Sequence, residues 1–306
     1  MKPLLLVPLF ASACAFSSHG HHPSALGVSR RAADLLAVVD LPGPVELETI
    51  NSTDWQVDRS GLINLKNKGA AGLHDGLEPI QVYFHVIKHP TRGTFIVDSG
   101  VERALRDAPK RAAIRGVVAS VMKTNLMKFN LPLGDWLARQ PAPLSGVFLT
   151  HLHLDHVSGL PDVPHGTPIY AGPGETNARA AVNVFLKPNI DRALAGQAEL
   201  SEWRFAPDAD GRFAGVIDVF GDGSLWAISV PGHTPGSTAY LVRTTNGPVL
   251  LTGDTCHTVW GWNHDVEPGT FTADHAANAD SLGRLRRLVK EHPSIHVRLG
   301  HQALPY

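Results

Sequence analysis

Cysteine is scarce in this chain: its 306 residues include two, Cys14 and Cys256. If Cys14 is removed with a leader or acylated, Cys256 has no partner, and an intramolecular disulfide is excluded. Stability must then come from the core and from bound metal ions. Apolar residues make up 43% of the chain, enough for a sizeable core in one large domain or two small ones.

Charge is also limited. The chain has 27 Lys and Arg against 28 Asp and Glu, for a formal net charge of −1. It has no basic block outside a segment predicted to be helical, and therefore no electrostatic footprint for nucleic acid. The composition thus predicts no nucleic-acid partner.

The N-terminus carries a short apolar run at residues 4–10, between Lys2 and the small residues 11–13. A basic start, a run too short to span a bilayer and a small-residue exit predict a signal peptide over residues 1–18. A disordered or buried apolar N-terminus is the alternative. Residues 19–29 are predicted to form a flexible linker.

Cys14 follows Ala-Ser-Ala, which resembles a bacterial lipobox except that Ala11 stands where leucine is usual. Simple export is favoured, and lipid attachment at Cys14 is the alternative. Both alternatives predict an exported protein that is periplasmic or secreted. A lipid on Cys14 would be the only membrane attachment that the sequence predicts.

The densest group of metal-binding side chain types is the segment His-Leu-His-Leu-Asp-His at residues 151–156, directly after the apolar run 147–149. If that run is a buried strand, the segment lies on a loop at the sheet edge and turns its side chains toward one point. Imidazole and carboxylate are ligands that suit Zn²⁺ and neighbouring metals. A histidine-rich surface loop is the alternative interpretation.

Residues 151–156 resemble the HxHxDH signature of the metallo-β-lactamase superfamily, whose members are mostly dinuclear hydrolases. Later ligands of that family follow in order: His233 in Pro-Gly-His-Thr-Pro-Gly, Asp254 in Leu-Leu-Thr-Gly-Asp and His301 in Leu-Gly-His. The resemblance implies an α+β fold, the four-layer αβ/βα sandwich, in a single catalytic domain over residues 30–306.

Periodicity predicts elements that suit this sandwich. Strands are predicted over residues 45–50, 81–87, 94–100, 147–149, 167–170, 225–230, 237–243, 248–252 and 295–299, and helices over 30–39, two pieces of 101–127, and 281–291. Pro173 is predicted to start a further helix, and Asn246-Gly247 to turn a hairpin. By the resemblance, Asp98 at a strand end orients a ligand; a turn carboxylate is the alternative.

The resemblance also implies two divalent metal ions, with Zn favoured and Mn, Co or Fe as alternatives. The first would be held by His151, His153 and His233, the second by Asp155, His156 and His301, and both by Asp254. A shared water would ionise near neutral pH, because its pKa falls from about 15.7 to roughly 7, and the hydroxide would attack the substrate carbonyl. Asp155 is also expected to shuttle a proton to the leaving group.

The resemblance also implies a substrate class, through the residues around Asp254. True β-lactamases usually carry cysteine or another residue there, so β-lactams are disfavoured. The segment 254–257 resembles that of N-acyl homoserine lactonases, in which a tyrosine three residues after the aspartate donates to the substrate carbonyl. His257 takes that place, as a donor or as a satisfied loop histidine. Cys256 is expected to pack or to support a ligand.

We therefore expect a small amphiphilic lactone or ester as substrate, and an N-acyl homoserine lactone before other members of that class. Apolar residues between 117 and 133 would form a lip for an acyl tail, and Trp260 and Trp262 would line a pocket; core packing is the alternative for both. The second hypothesis is hydrolysis of aryl esters or phosphoesters. An iron-dependent sulfur dioxygenase and a non-catalytic surface lipoprotein are the less favoured alternatives. A homodimer is the one assembly that we consider for the chain.

Overall fold

A computed structural model describes residues 14–180 and 182–304. Its strands, numbered along the chain, are β1 (Cys14–Ala15), β2 (His21–Pro23), β3 (Val28–Arg30), β4 (Glu46–Asp58), β5 (Leu77–His89), β6 (Gly93–Val97), β7 (Lys128–Phe129), β8 (Gly146–Phe148), β9 (Ile169–Ala171), β10 (Arg179–Ala180), β11 (Leu200–Glu202), β12 (Val216–Asp218), β13 (Leu225–Ser229), β14 (Thr238–Thr244), β15 (Gly247–Leu251) and β16 (His296–Arg298).

The helices cover less of the chain than the strands. The α-helices are α1 (Ala32–Leu36), α2 (Arg59–Leu62), α3 (Arg103–Asp107), α4 (Val117–Val121), α5 (Leu133–Leu137), α6 (Leu154–Val157), α7 (Asn183–Ala193), α8 (Val259–His264) and α9 (His275–Glu291). Short 3₁₀ turns occupy Lys68–Ala70, Thr124–Leu126, Leu160–Asp162 and Gly253–Thr255. None of the helices in these residues is long and apolar enough to cross a membrane.

Two sheets face each other. The larger has the strand order β2-β11-β9-β8-β6-β5-β4-β7, and the smaller β16-β15-β14-β13-β12-β3. Aromatic side chains fill the space between them, where Phe148 packs with Phe95 and Tyr240 at ring-centroid distances of 5.1 and 5.8 Å. Their burial supplies much of the apolar area that holds the two sheets together.

Helices cover the outer faces of both sheets. One apolar cluster joins the larger sheet to α3, α5, α6 and α7, and another joins the smaller sheet to α1 and α9. In α9, Leu282, Leu285 and Leu288 lie on one buried stripe, as the spacing of three residues requires. The order helix, sheet, sheet, helix confirms the predicted α+β four-layer αβ/βα sandwich.

Most predicted strands are present, but the helical region 101–127 differs from the prediction. It contains two five-residue helices and one 3₁₀ turn, with irregular chain between them. Gly116 has a φ of 66°, which a continuing helix cannot accommodate. The lip residues Val117 and Val121 are 75% and 74% exposed, so they are not core residues.

The described part of the N-terminal segment joins both sheets. The predicted flexible linker at residues 19–29 is wrong, because β2 pairs with β11 in the larger sheet and β3 pairs with β12 in the smaller one. These backbone hydrogen bonds tie the segment to the sandwich. Residues 1–13 of the predicted signal peptide and the side chain of Cys14 lie outside the described residues.

Candidate metal centre

The predicted ligands meet at one end of the sandwich, where several strands stop. The motif follows β8, His233 follows β13, Asp254 lies in the turn after β15, and His301 follows β16. Each strand is held by its neighbours, so the loops that leave them start from fixed positions. This is why residues up to 150 positions apart in the chain reach one point.

The first group consists of His151, His153, His233 and Asp254, whose ligand atoms lie within 4.8 Å of one another. Nδ1 of His153 lies 2.8 Å from Nε2 of His233. Asp254 Oδ2 lies 3.6 Å from Nε2 of His151 and 3.4 Å from Nε2 of His233. His153 is the one member of this group that is only half-buried.

The second group consists of Asp155, His156, His301 and, again, Asp254, with the same 4.8 Å spread. Nε2 of His301 lies 3.2 Å from Asp155 Oδ2 and 3.4 Å from Asp254 Oδ1. Nε2 of His156 lies 3.2 Å from Asp254 Oδ2. The two oxygens of Asp254 thus face both groups, as the bridging role requires.

Unpaired atoms at the centre test whether these residues suit a metal. Nε2 of His151, Nε2 of His156 and Oδ1 of Asp254 are fully buried and make no hydrogen bond, although each lies 3.2–3.6 Å from an oppositely charged or polar atom of the centre. Leaving such atoms unpaired costs about 1–3 kcal/mol each, so orphans are rare without a ligand. Cations between the imidazoles and the shared carboxylate would satisfy all three atoms, and the residues therefore fit divalent metal ions.

The imidazoles of the first group are held neutral. Burial lowers the pKa of His151 and His233 and takes the pKa of His153 to about 3, and neighbouring histidines reinforce the effect. A neutral imidazole has a lone pair ready for a cation. This group therefore needs to lose no proton before it binds a metal near pH 7.

The second group has the opposite electrostatics. Burial disfavours the charged form of His301, but Asp254 and Asp155 outweigh it and raise its pKa to about 10. The same balance raises the pKa of His156, where the carboxylates are Asp254, Asp98 and Asp155. Burial works against the charge on Asp155 too, but the neighbouring His156 and His301 lower its pKa. Without a cation, this group is an imidazolium–carboxylate network.

Side chains and carbonyls outside the centre orient the ligands. Nδ1 of His156 donates to Asp98 Oδ2 at 2.8 Å, and Nδ1 of His301 donates to the Gln81 carbonyl at 2.9 Å. Asp98 also accepts from the Thr150 backbone N–H at 2.8 Å. Asp98 therefore has the orienting contact that the sequence predicted. Gly300 is required because a Cβ there would collide with Asp254 Oδ1.

Glu175 was missed by the sequence prediction, which placed it in the first turn of a helix after Pro173. No helix forms there: residues 173–177 are a turn, and α7 starts at Asn183. The buried Glu175 carboxylate accepts from the Leu152 N–H at 2.8 Å, the Thr234 hydroxyl at 2.5 Å and the Gly236 N–H at 2.8 Å. It braces the motif loop to the His233 loop.

His257 lies at the centre but outside both four-residue groups. Its Nδ1 donates to the Leu62 carbonyl at 3.2 Å, and its Nε2 lies 2.9 Å from Asp254 Oδ2. Because Nδ1 carries a hydrogen, Nε2 can donate to a substrate only when both ring nitrogens are protonated. Its contact with a substrate carbonyl stays a prediction.

The neighbours of His257 pack in the core. Cys256 is 1% exposed and lies in an apolar cluster with Leu282, Val297 and Leu299, and burial raises the pKa of its thiol to about 12. A packing role therefore fits Cys256. Trp260 packs against the main core and stacks on His264 at 4.0 Å, so core packing accounts for its position.

Comparison with known proteins places the chain in a family. The profile of the Metallo-beta-lactamase superfamily matches residues 77–301. N-acyl homoserine lactonase AttM of Azorhizobium caulinodans is 31% identical over 233 residues, which span 72% of this chain and 82% of that protein. AttM of Agrobacterium fabrum is 30% identical over 232 residues, with the same coverage of both chains.

The chain is also similar to a relative with another name and to solved structures. Gamma-lactamase FDB1 of Fusarium pseudograminearum is 32% identical over 243 residues, covering 72% of this chain and 58% of that protein. The crystal structure of a quorum-quenching N-acyl homoserine lactone lactonase shares the fold with a TM-score of 0.61 at 20% identity, over 86% of this chain and 93% of that one. This chain belongs to the metallo-β-lactamase superfamily.

Proposed function

We propose that this protein is a dinuclear metal-dependent hydrolase that opens lactone rings, with an N-acyl homoserine lactone as the preferred substrate. The junction of two ligand groups at Asp254 carries the proposal, because it supplies a site for two adjacent cations. Relatives about 30% identical over most of both chains support the choice of lactone.

Zinc is the metal we propose first. The site offers five imidazoles and two carboxylates, a donor set that suits zinc and that manganese, cobalt or iron also accept. Two bound cations would act as Lewis acids on a carbonyl and lower the pKa of water to roughly 7, which provides a nucleophile at neutral pH. The complete set of seven ligands argues against a single-iron dioxygenase.

The chain's own residues then hold the centre and move protons. Asp254 fixes the spacing of the two groups through its two oxygens. Asp155 is half-buried, and its Oδ2 faces His301, so we assign to Oδ1 the transfer of the attacking water's proton to the departing alkoxide oxygen, which becomes the hydroxyl of the product. We assign to His257 Nε2 the contact with the substrate carbonyl, which requires the doubly protonated ring.

A substrate panel on one metal-loaded preparation tests this function. It contains homoserine lactones with graded acyl tails, a γ-lactam, an aryl ester and a phosphotriester, followed by proton release or chromophore release. We expect the acyl homoserine lactones to have the highest kcat/KM. The panel includes a γ-lactam because proteins named gamma-lactamases are among the relatives. If the lactam, the aryl ester or the phosphotriester is turned over faster than the lactones, the protein is not a lactonase, and that substrate class defines its function.

We also propose that the protein is exported, on the strength of the basic start and apolar run before Cys14. Fractionation of cells that express the full chain tests this. The intact mass of the exported form would show both the cleavage position and any lipid on Cys14.

A further inference from the structure

The N-terminal segment lies against the metal centre although it precedes the family's matched region, residues 77–301. We propose that Phe16 is a positioning residue that holds the His153 ring in the orientation in which it can bind the first metal ion. This rests on the proposed dinuclear centre. The proposal gives a role to a residue inside the signal peptide predicted over residues 1–18.

Backbone and side-chain hydrogen bonds fix the position of Phe16. Its N–H and that of Ser17 donate to the Thr176 carbonyl at 3.0 and 3.1 Å. The Ser17 hydroxyl and the Ser18 N–H both donate to Asp191 Oδ1, at 2.7 and 2.8 Å. Beyond them, β2 pairs with β11. The segment is thus attached to the sandwich on both sides of Ser18 and next to Glu175.

Phe16 uses this position to contact a ligand. Its side chain is 6% exposed and belongs to the main apolar cluster, and its ring centroid lies 5.7 Å from that of His153, with the planes tilted by 60°. A buried, hydrogen-bonded segment has little freedom to withdraw. The ring therefore forms a fixed wall that limits rotation of the His153 imidazole.

His153 depends on such a wall more than the other four histidine ligands do. Each of those has a second ring nitrogen bonded outside the centre: His151 to Thr150, His156 to Asp98, His233 to Thr272 and His301 to Gln81. Over residues 14–180 and 182–304, the one hydrogen bond of the His153 ring joins Nδ1 to Nε2 of His233, inside the centre. Aromatic packing replaces the usual hydrogen bond that orients a metal-binding histidine.

The position of signal-peptide cleavage decides whether Phe16 stays in the exported protein. Cleavage after residue 18 would remove Phe16 and both serines that bind Asp191. Cleavage immediately before Cys14, the alternative that the lipobox resemblance offers, would leave all of them in place. The proposed role of Phe16 therefore predicts an exported protein that begins N-terminal to Phe16.

The test compares full-length F16A, F16L and the control F185A, since Phe185 is a 66% exposed phenylalanine on the neighbouring α7. Zinc affinities for both ions are measured by competition with a chromophoric chelator. We expect F16A to weaken binding of the first ion about 10- to 100-fold, the size of effect typical of residues that orient ligands. The affinity for the second ion should change at most a few-fold. F16L should recover most of the lost affinity for the first ion, and F185A should bind both ions as the wild type does.

Several outcomes would overturn the role of Phe16. One is F16A binding both ions as the wild type does; another is equal weakening of both ions in F16A and F16L, which would indicate general destabilisation. Melting temperatures of the metal-free variants identify that case. An exported, active protein whose mass begins after Ser18 would also overturn it. Failure of the wild type to bind two ions would instead remove the dinuclear function itself.

Discussion

The two ligand groups of the centre share Asp254 but differ in charge. The first group pairs neutral imidazoles with that carboxylate, because burial lowers the pKa of His151, His153 and His233. In the second group, carboxylates outweigh burial and raise the pKa of His156 and His301. The first group is ready for a cation at neutral pH, whereas in the second group protons occupy the place of a cation.

This difference has a structural origin. The second group has its own carboxylate, Asp155, and is supported by Asp98, which lies 2.8 Å from Nδ1 of His156. The first group has only the shared carboxylate. Two sites of one centre can therefore differ in metal affinity and in pH dependence although the same residue joins them.

Removal of Asp254 breaks both groups at once. In D254A each group loses the ligand that connects it to the other, so we expect neither ion to bind at stoichiometric concentration. Lactone opening should fall at least on the order of a thousandfold, since metal catalysis contributes several kcal/mol. Metal analysis after gel filtration and kcat/KM check this, with D280A, an exposed carboxylate variant, as control. Near-normal activity in D254A would mean that the reaction occurs elsewhere.

His257 lies between the groups, with its ring 5.2 Å from those of His233 and His301. Because it belongs to neither group, H257F should retain both ions and lose turnover, by about 10²-fold if it removes a donor to the reacting carbonyl. H257Y should lose less, since a phenol also donates. Stopped assays with metal content from the same samples check this. Loss of one ion from H257F would make His257 a ligand instead.

The pH dependence of metal binding sharpens the contrast. An ion in the second group must displace a proton from His301, whose pKa of about 10 lies above the unperturbed value of 6.5. Affinity there should rise with pH up to about 10, by up to about tenfold per pH unit for each proton displaced. Affinity in the first group should stay flat above pH 6.5. Calorimetry in buffers of different ionisation enthalpy counts the protons, and equal release at both steps would contradict the contrast.

Substitution of Glu175 is expected to have a smaller effect, confined to metal binding by the first group. Burial raises its pKa to about 7 despite its hydrogen bonds to Thr234, Leu152 and Gly236. In E175Q one amide oxygen cannot replace both carboxylate oxygens, so the Leu152 N–H loses its acceptor, at a cost of about 1–3 kcal/mol. We expect the first ion to bind roughly tenfold more weakly and the second almost unchanged. E199Q, an exposed variant, is the control, and equal weakening of both ions would exclude a local brace.

The sandwich and the meeting of the seven predicted ligands at one point were predictable, because each of these residues sits in a short local pattern that follows a strand. The residues that support them were not. Glu175 binds Leu152 and Gly236, 23 and 61 positions away, and its local sequence resembles a helix start. Backbone carbonyls such as those of Leu62 and Gln81 orient ring nitrogens without any residue type to recognise. Phe16 lies in a segment whose composition is typical of a leader, and its contact with His153 follows from hydrogen bonds to Thr176 and Asp191, far along the chain.

The most direct test of the two-ion centre is ring opening measured during stepwise addition of zinc to metal-free wild-type protein. We expect binding to end at two ions per chain, with little activity after the first equivalent and full activity after the second. The first equivalent should fill the neutral group and release almost no protons. Full activity with one ion per chain, or saturation at one, would contradict a centre in which Asp254 joins two cations.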